Sequence, residues 1–206
     1  AGQGRLRSAK EVEVDGEAYQ ATKGIILATG ARARSLPGLE ADGQRILTYH
    51  HALALTEVPR RIVIVGAGPI GVEFAYIFSS FGAEVTLLEM LPRVVPLEDE
   101  EISAALEKAL KAYGIQIRTG AKVAGVEVTA DGATVRVNGT NGEERIEAEK
   151  VLVAIGVQPN SENLGLEAVG VEIQKGWVTV DGYMRTNIPG IYAIGDLTGK
   201  MPLAHV

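Results

Sequence analysis

The chain has 206 residues, 46% hydrophobic and 22% charged, a composition that supports one large or two small folded domains. Its formal net charge of −6 and isoelectric point near 5.2 argue against a nucleic-acid partner. The absence of cysteine excludes a disulfide framework, a thiolate metal site and a redox thiol within these residues. No apolar run approaches the roughly 18 residues of a membrane span, and no secretory signal is visible. A cytoplasmic location is expected, with no membrane partner.

From the start, Val12 and Val14 alternate with charges ahead of Asp15-Gly16, a hairpin signal, so Tyr19 to Lys23 is expected to return antiparallel. Gly24-Ile25-Ile26-Leu27 reads as a buried strand that ends in the small, polar turn Ala28-Thr29-Gly30. Residues 31–60 are loop-rich, with a short helix predicted between Thr48 and Leu55.

Ile62 to Val65 are four β-branched residues without a polar break, the pattern of a strand covered on both faces in a parallel sheet. Gly66-Ala67-Gly68-Pro69-Ile70-Gly71 follows, with glycines in G-x-G-x-x-G spacing. Gly66 suits a tight turn, Gly68 leaves room for a pyrophosphate, and Gly71 allows close packing of helix on sheet. Ile70, Phe74, Ile77, Phe78 and Phe81 then fall on one helical face, and Gly82 ends the helix. The helix N-terminus offers free N–H groups and a positive dipole to an anion, and Pro69 loses no hydrogen bond there. A second strand, Glu84 to Leu88, stops at Glu89, where a carboxylate can accept from the ribose hydroxyls of NAD.

Beyond Pro92 and Pro96, a helix is predicted with Ile102, Ala105, Leu106, Ala109, Leu110 and Tyr113 inward. Its acidic first turn, Glu98 to Glu101, suits the positive end of the helix dipole and is not read as a metal site. Ile115 to Arg118 is the third strand. Three alternating stretches, Val123–Thr129, Ala133–Asn138 and Arg145–Ala148, are separated by Asp131-Gly132 and Asn141-Gly142 and predict an antiparallel meander. Val151 to Gly156 and Ile191 to Asp196 are further buried strands, and a short strand covers Trp177 to Val180. His50, His51 and His205 form no catalytic or metal set; no catalytic residue and no metal ligand is assigned.

Ala28-Thr29-Gly30 with Leu36-Pro37-Gly38, the unit Gly66 to Glu73, Val153 to Gly156 with Pro159-Asn160, and Arg185 to Pro189 leading to Ala193-Ile194-Gly195-Asp196 resemble, in this order, the flavoprotein disulfide reductases. Leu203-Ala204-His205 continues the pattern. The resemblance implies an α/β fold: a Rossmann-like parallel sheet with helices on both faces plus a three-stranded antiparallel meander, flanked by parts of an FAD-binding domain. Residues 56–157 would be an inserted NAD-binding domain, with 1–55 and 158–206 belonging to the FAD domain. Gly4, Thr29 and Gly30 would approach FAD, Asp196 would hold its ribityl hydroxyls, and Ala204 would lie by the flavin. Val123 and Gly156 would line the NAD site, and Ile70 and Glu73 would sit where nicotinamide meets flavin.

The family's redox cysteine pair, its first glycine motif and its C-terminal interface domain are not in these residues, and Val157 stands where many members have Arg. The chain is therefore expected to be the central piece of a longer enzyme and inactive alone. For the intact enzyme the resemblance implies that a dithiol of lipoyl type would reduce the disulfide, electrons would pass to FAD and hydride to NAD; a lipoyl-bearing protein and a homodimer partner are implied for that intact enzyme only. Other members of the family, and a nucleotide-binding module without redox chemistry, remain as alternatives.

Overall fold

A strand with no polar face has to be covered on both sides, and that requirement shapes the centre of this chain. The computed structural model describes residues 2–139 and 142–203. Its contacts separate two units, one formed by residues up to 32 together with those from 157 onward, the other by Ala33–Gly156.

The first segment of the outer unit contains β1 (Gly4–Ser8), β2 (Glu11–Val14) and β3 (Glu17–Gln20), an antiparallel sheet in which Leu6 faces Val12 and Val12 faces Tyr19. Asp15 and Gly16 both take positive φ, 50° and 91°, as the hairpin signal requires. β4 (Ile25–Leu27) follows, and β5 (Ala31–Ala33) leads out of the unit.

The central unit contains β6 (Ile46–Leu47), α1 (Tyr49–Leu53), β7 (Arg61–Val65), α2 (Pro69–Ser80), β8 (Glu84–Leu88), α3 (Glu100–Ala112), β9 (Gln116–Arg118), β10 (Lys122–Val128), β11 (Ala133–Gly139), β12 (Gly142–Ala148) and β13 (Lys150–Val153). Five strands form a parallel sheet in the order β6-β13-β7-β8-β9. Alternation along β7 divides the core. Ile62 and Ile64 join Phe74, Phe78, Leu87, Leu110 and Leu152 on one face, while Val63 and Val65 join Leu88, Val151, Val153, Val135 and Val137 on the other.

All three helices thus lie on one face, and the meander β10-β11-β12 covers the other. The α/β class and the meander follow the sequence reading; helices on both faces do not, because the alternating valines of β11 supply the second apolar layer. β6 pairs with β13, which draws residues 33–55 into the central unit, where the sequence reading had begun it at 56. The Asn141 half of the second meander turn lies outside the described residues.

The helix faces also differ from expectation. On α2, Phe74 and Phe78 are buried, but Ile77 is partly exposed and Phe81 largely so. On α3 the inward residues are Ser103, half-buried Leu106 and Leu110, whereas Ile102 and Tyr113 face outward. Ser103 Oγ donates to Val94 O at 2.7 Å, a polar anchor on the buried side of the helix that the hydrophobic pattern does not weigh. Tyr113 instead meets the edge of Tyr76, with ring centroids 5.0 Å apart.

The chain returns through β14 (Val157–Pro159), α4 (Leu166–Val169), β15 (Ile173–Gln174), β16 (Trp177–Val178) and β17 (Ile191–Ala193), then a 3-10 turn over Gly195–Thr198. β17 runs parallel to β4, with Ile191 opposite Ile25 and Ala193 opposite Leu27. Leu6, Ile25, Leu27, Leu166, Ile191 and Leu197 centre the core of this outer unit.

Candidate functional site

The C-terminal ends of β13, β7 and β8 open into a cleft of about 630 Å³ within the central unit, in the range of small-molecule sites. The turn from β7 into α2 forms its floor. Gly66 takes φ +102°, and a methyl group there would overlap the Ala154 carbonyl oxygen. A methyl at Gly71 would overlap the Gly66 carbonyl oxygen, so helix, turn and sheet edge are stacked backbone on backbone. This refines the sequence expectation: Gly71 accommodates the turn first and the sheet second. Gly68 differs from both. It has ordinary backbone angles, φ −71° and ψ −176°, and nothing lies within 4 Å of a methyl placed on it.

The turn is held from further sides. Gly66 N donates to Leu88 O at 2.8 Å, and Val95 N donates to Ala67 O at 2.7 Å. Glu89, only 8% exposed, accepts from Ala67 N at 2.7 Å through one oxygen and from Leu91 N at 2.8 Å through the other. The sequence predicts a ligand-binding acid here; in the structure the carboxylate ties the glycine turn to the end of β8. Each oxygen keeps acceptor capacity for a further donor. The first turn of α2 leaves N–H groups without intrahelical acceptors, and Pro69 has none to lose.

Of the residues proposed from sequence, Gly66, Gly68, Pro69, Glu89, Val123 and Gly156 line this cleft. Ala67 is fully buried beneath it, Gly71 lies under the turn, Ile70 packs half-buried against the helical-face core, and Glu73 sits on the exposed side of α2. The cleft is also lined by Arg34, Leu39, Val95, Leu97 and Lys122, to which no motif pointed, and by Leu36 and Pro96, which the sequence reading had not assigned to a site. Leu97 is 96% exposed at its edge. The Pro92 and Pro96 punctuation was the only sequence signal for residues 95–97. The arrangement suits an elongated ligand with apolar parts, a central anion and a hydroxyl-bearing end.

In the outer unit, Thr29, Gly30 and Asp196 come off the same ends of the adjacent parallel strands β4 and β17. Thr29 Oγ1 donates to Asn160 O at 2.7 Å, Asn160 Nδ2 donates to Thr29 O at 2.9 Å, and Asn160 N donates to Gly30 O at 2.9 Å. Asp196 is half-buried in the 3-10 turn. Gly4 stands apart on the antiparallel sheet, exposed at the start of β1. Ala204 lies outside the described residues. The described residues contain no group of three or more His, Asp or Glu side chains placed to hold a metal ion, and no helix among them is long and apolar enough to cross a membrane.

A family model for pyridine nucleotide-disulphide oxidoreductase matches residues 1–206. The chain is 47% identical over 193 residues to dihydrolipoyl dehydrogenase of Rhizobium etli, covering 93% of this chain and 40% of that protein. It is 39% identical over 205 residues to dihydrolipoyl dehydrogenase of Thermus scotoductus, covering 98% and 44%. Among solved structures, LpdA from Mycobacterium tuberculosis superposes with a TM-score of 0.88 at 35% identity, over 100% of this chain and 47% of that one. The HOCl-induced flavoprotein disulfide reductase RclA from Escherichia coli gives 0.85 at 29% identity, over 99% and 46%. The chain thus spans less than half the length of these relatives.

Proposed function

Since the chain belongs to the pyridine nucleotide-disulphide oxidoreductase family, we propose that its central unit binds NAD(H), as part of a flavin-dependent dihydrolipoyl dehydrogenase. The observation that carries the reading is Gly68. Two of the three glycines in the turn are required by the protein's own backbone; the third faces open space in the cleft, at the N-terminus of a 12-residue helix. A methyl there meets nothing in the protein, so the space it would fill is available to a ligand. The free backbone N–H groups of the α2 N-terminus would suit a pyrophosphate there.

Glu89 sits at the end of the neighbouring strand β8, where it can accept from the hydroxyls of the adenosine ribose. Its two backbone hydrogen bonds fix its orientation before a ligand arrives. Val123 and the apolar walls would cover the adenine, and Gly156 would lie beneath the second nucleotide. Bound NAD would supply the hydride acceptor; the role of this unit is to hold it and shield it from water. In the outer unit, Asp196, Thr29 and Gly30 would contact FAD in the whole protein, a dithiol of lipoyl type would be its reductant, and a second copy and a lipoyl-bearing protein its partners. The 39–47% identity to proteins named dihydrolipoyl dehydrogenase supports that member of the family.

The test is titration of the chain with NADH, followed by intrinsic fluorescence of the nucleotide, and competition with NAD and with NADPH. Saturable NADH binding displaced by NAD is expected. A chain that takes up neither nucleotide would remove the cleft from this role.

A further inference from the structure

We propose that Arg34 is a binding residue for the phosphate on the nicotinamide side of the dinucleotide, and that it lets the cleft distinguish a dinucleotide from a mononucleotide. This rests on the NAD reading above. Three observations lead to it.

First, Arg34 lines the cleft, yet its guanidinium makes no hydrogen bond or ion pair among the described residues. The other arginines of the central unit, apart from Arg60, have partners. Arg45 donates to the carbonyls of Glu149 and Ala130. Arg61, Arg93, Arg118, Arg136 and Arg145 pair with glutamates. An exposed cation on the lining of a largely apolar cleft is available to an anion, and a guanidinium fits a phosphate through two parallel N–H groups.

Second, the position is fixed by backbone. Arg34 N donates to Gly156 O at 3.0 Å, which sets the residue at the end of β13. Third, the strand order makes that the opposite end of the cleft from Glu89. Gly68 follows β7, Glu89 follows β8, and Gly156 follows β13, with β7 between the other two. A dinucleotide whose adenosine ribose reaches Glu89 and whose pyrophosphate crosses Gly68 carries its second nucleotide over β13, toward Arg34. AMP, held at the Glu89 end, would not extend that far.

The experiment compares the 206-residue chain with Arg34→Ala and Arg34→Lys, using NADH, ADP-ribose and AMP as probes and Lys108→Ala on exposed α3 as a charge control. Arg34→Ala is expected to weaken NADH and ADP-ribose about tenfold, the scale of one charge-assisted contact, and to leave AMP affinity and the melting temperature unchanged. Arg34→Lys should recover part of the loss, and Lys108→Ala should behave as wild type. Wild-type NADH affinity in Arg34→Ala, or an equal loss for AMP, overturns the assignment while leaving the NAD reading intact. A wild-type chain that binds neither NADH nor AMP overturns both.

Discussion

Replacing Gly68 by alanine separates what the fold needs from what a ligand needs. In the free protein the methyl would meet nothing within 4 Å, and φ −71° with ψ −176° is open to any residue. Removing a glycine restricts the unfolded chain and stabilises by about 0.4–1 kcal/mol. Gly68 is also the N-cap of α2, where glycine outranks alanine by a similar amount. The two effects oppose, so the net change should stay within about 1 kcal/mol, a shift of roughly 2–4 °C in melting temperature. Binding is different, because the methyl would occupy the space an anion's oxygens need to come within about 2.9 Å of the N–H groups. Loss of one such bond to a charged group, about 1.5–3 kcal/mol, lowers NADH affinity about ten- to hundredfold. The assay is thermal unfolding alongside NADH titration, with Gly66→Ala and Gly71→Ala as comparisons that should fail to fold or melt far lower, since both overlap carbonyl oxygens. A Gly68→Ala chain that folds normally and binds NADH with wild-type affinity would refute the placement of the pyrophosphate. A large stability loss would refute the claim that the space is open.

Glu89 should favour NADH over NADPH by on the order of a hundredfold, because a 2′-phosphate beside its carboxylate is repelled; paired titrations check this, and equal affinity removes Glu89 from the ribose site. Glu89→Gln should destabilise by about 1–3 kcal/mol, since an amide cannot accept from both Ala67 N and Leu91 N and one buried donor is left unpaired; urea unfolding measures it. Burial pushes the Asp42 carboxyl up, but the backbone N–H groups of Gln44, Ile46 and Arg45 outweigh it and hold the group below its ordinary 3.8. A carboxylate depressed in the folded state stabilises above its unfolded value and loses that contribution as pH falls through the folded one, so Asp42→Asn should flatten the stability profile below about pH 4. Finally, with no cysteine for thiol–disulfide exchange, the chain should not reduce lipoamide even with FAD added. Nor should flavin copurify, as Thr29, Gly30 and Asp196 offer only a few hydrogen bonds; an equimolar visible flavin band would contradict this.

The parallel sheet was legible because Ile62 to Val65 have no polar face and the glycine spacing is tied to strand and helix on either side. The meander was legible because valines alternate with charges along β10 and β11. What covered which face was not. Alternation shows that a second layer exists, but Val63 and Val65 are satisfied equally by a helix or by β11. The orientation of α3 was hidden for a related reason: Ser103 counts as polar in a hydrophobic pattern, yet its hydroxyl closes on Val94 O and lies almost fully buried. In the cleft, the floor was readable because backbone demands select glycine, proline and an acid at fixed spacing. The walls were not, because Leu39 and Leu97 come from loops whose sequence carries no period, and Leu36-Pro37-Gly38 carries a family likeness without showing that it meets the cleft. Arg34 was equally silent, since a single arginine among loop residues shows its placement only once Gly156 is beside it.

The stack of Gly71 on Gly66 and of Gly66 on Ala154 has a consequence for how this turn can change over time. The obstacle at each glycine is a main-chain carbonyl oxygen, and every amino acid carries one. A clash with a side chain can be relieved by shortening that side chain elsewhere; this one has no neighbour whose replacement clears it. Revertant selection on a Gly66 or Gly71 variant should therefore return the original codon, or an insertion or deletion that reroutes the backbone, and not a compensating substitution at position 154. Gly68 is under no such lock. If the ligand were dispensed with, it is the glycine of the three that would be expected to drift first.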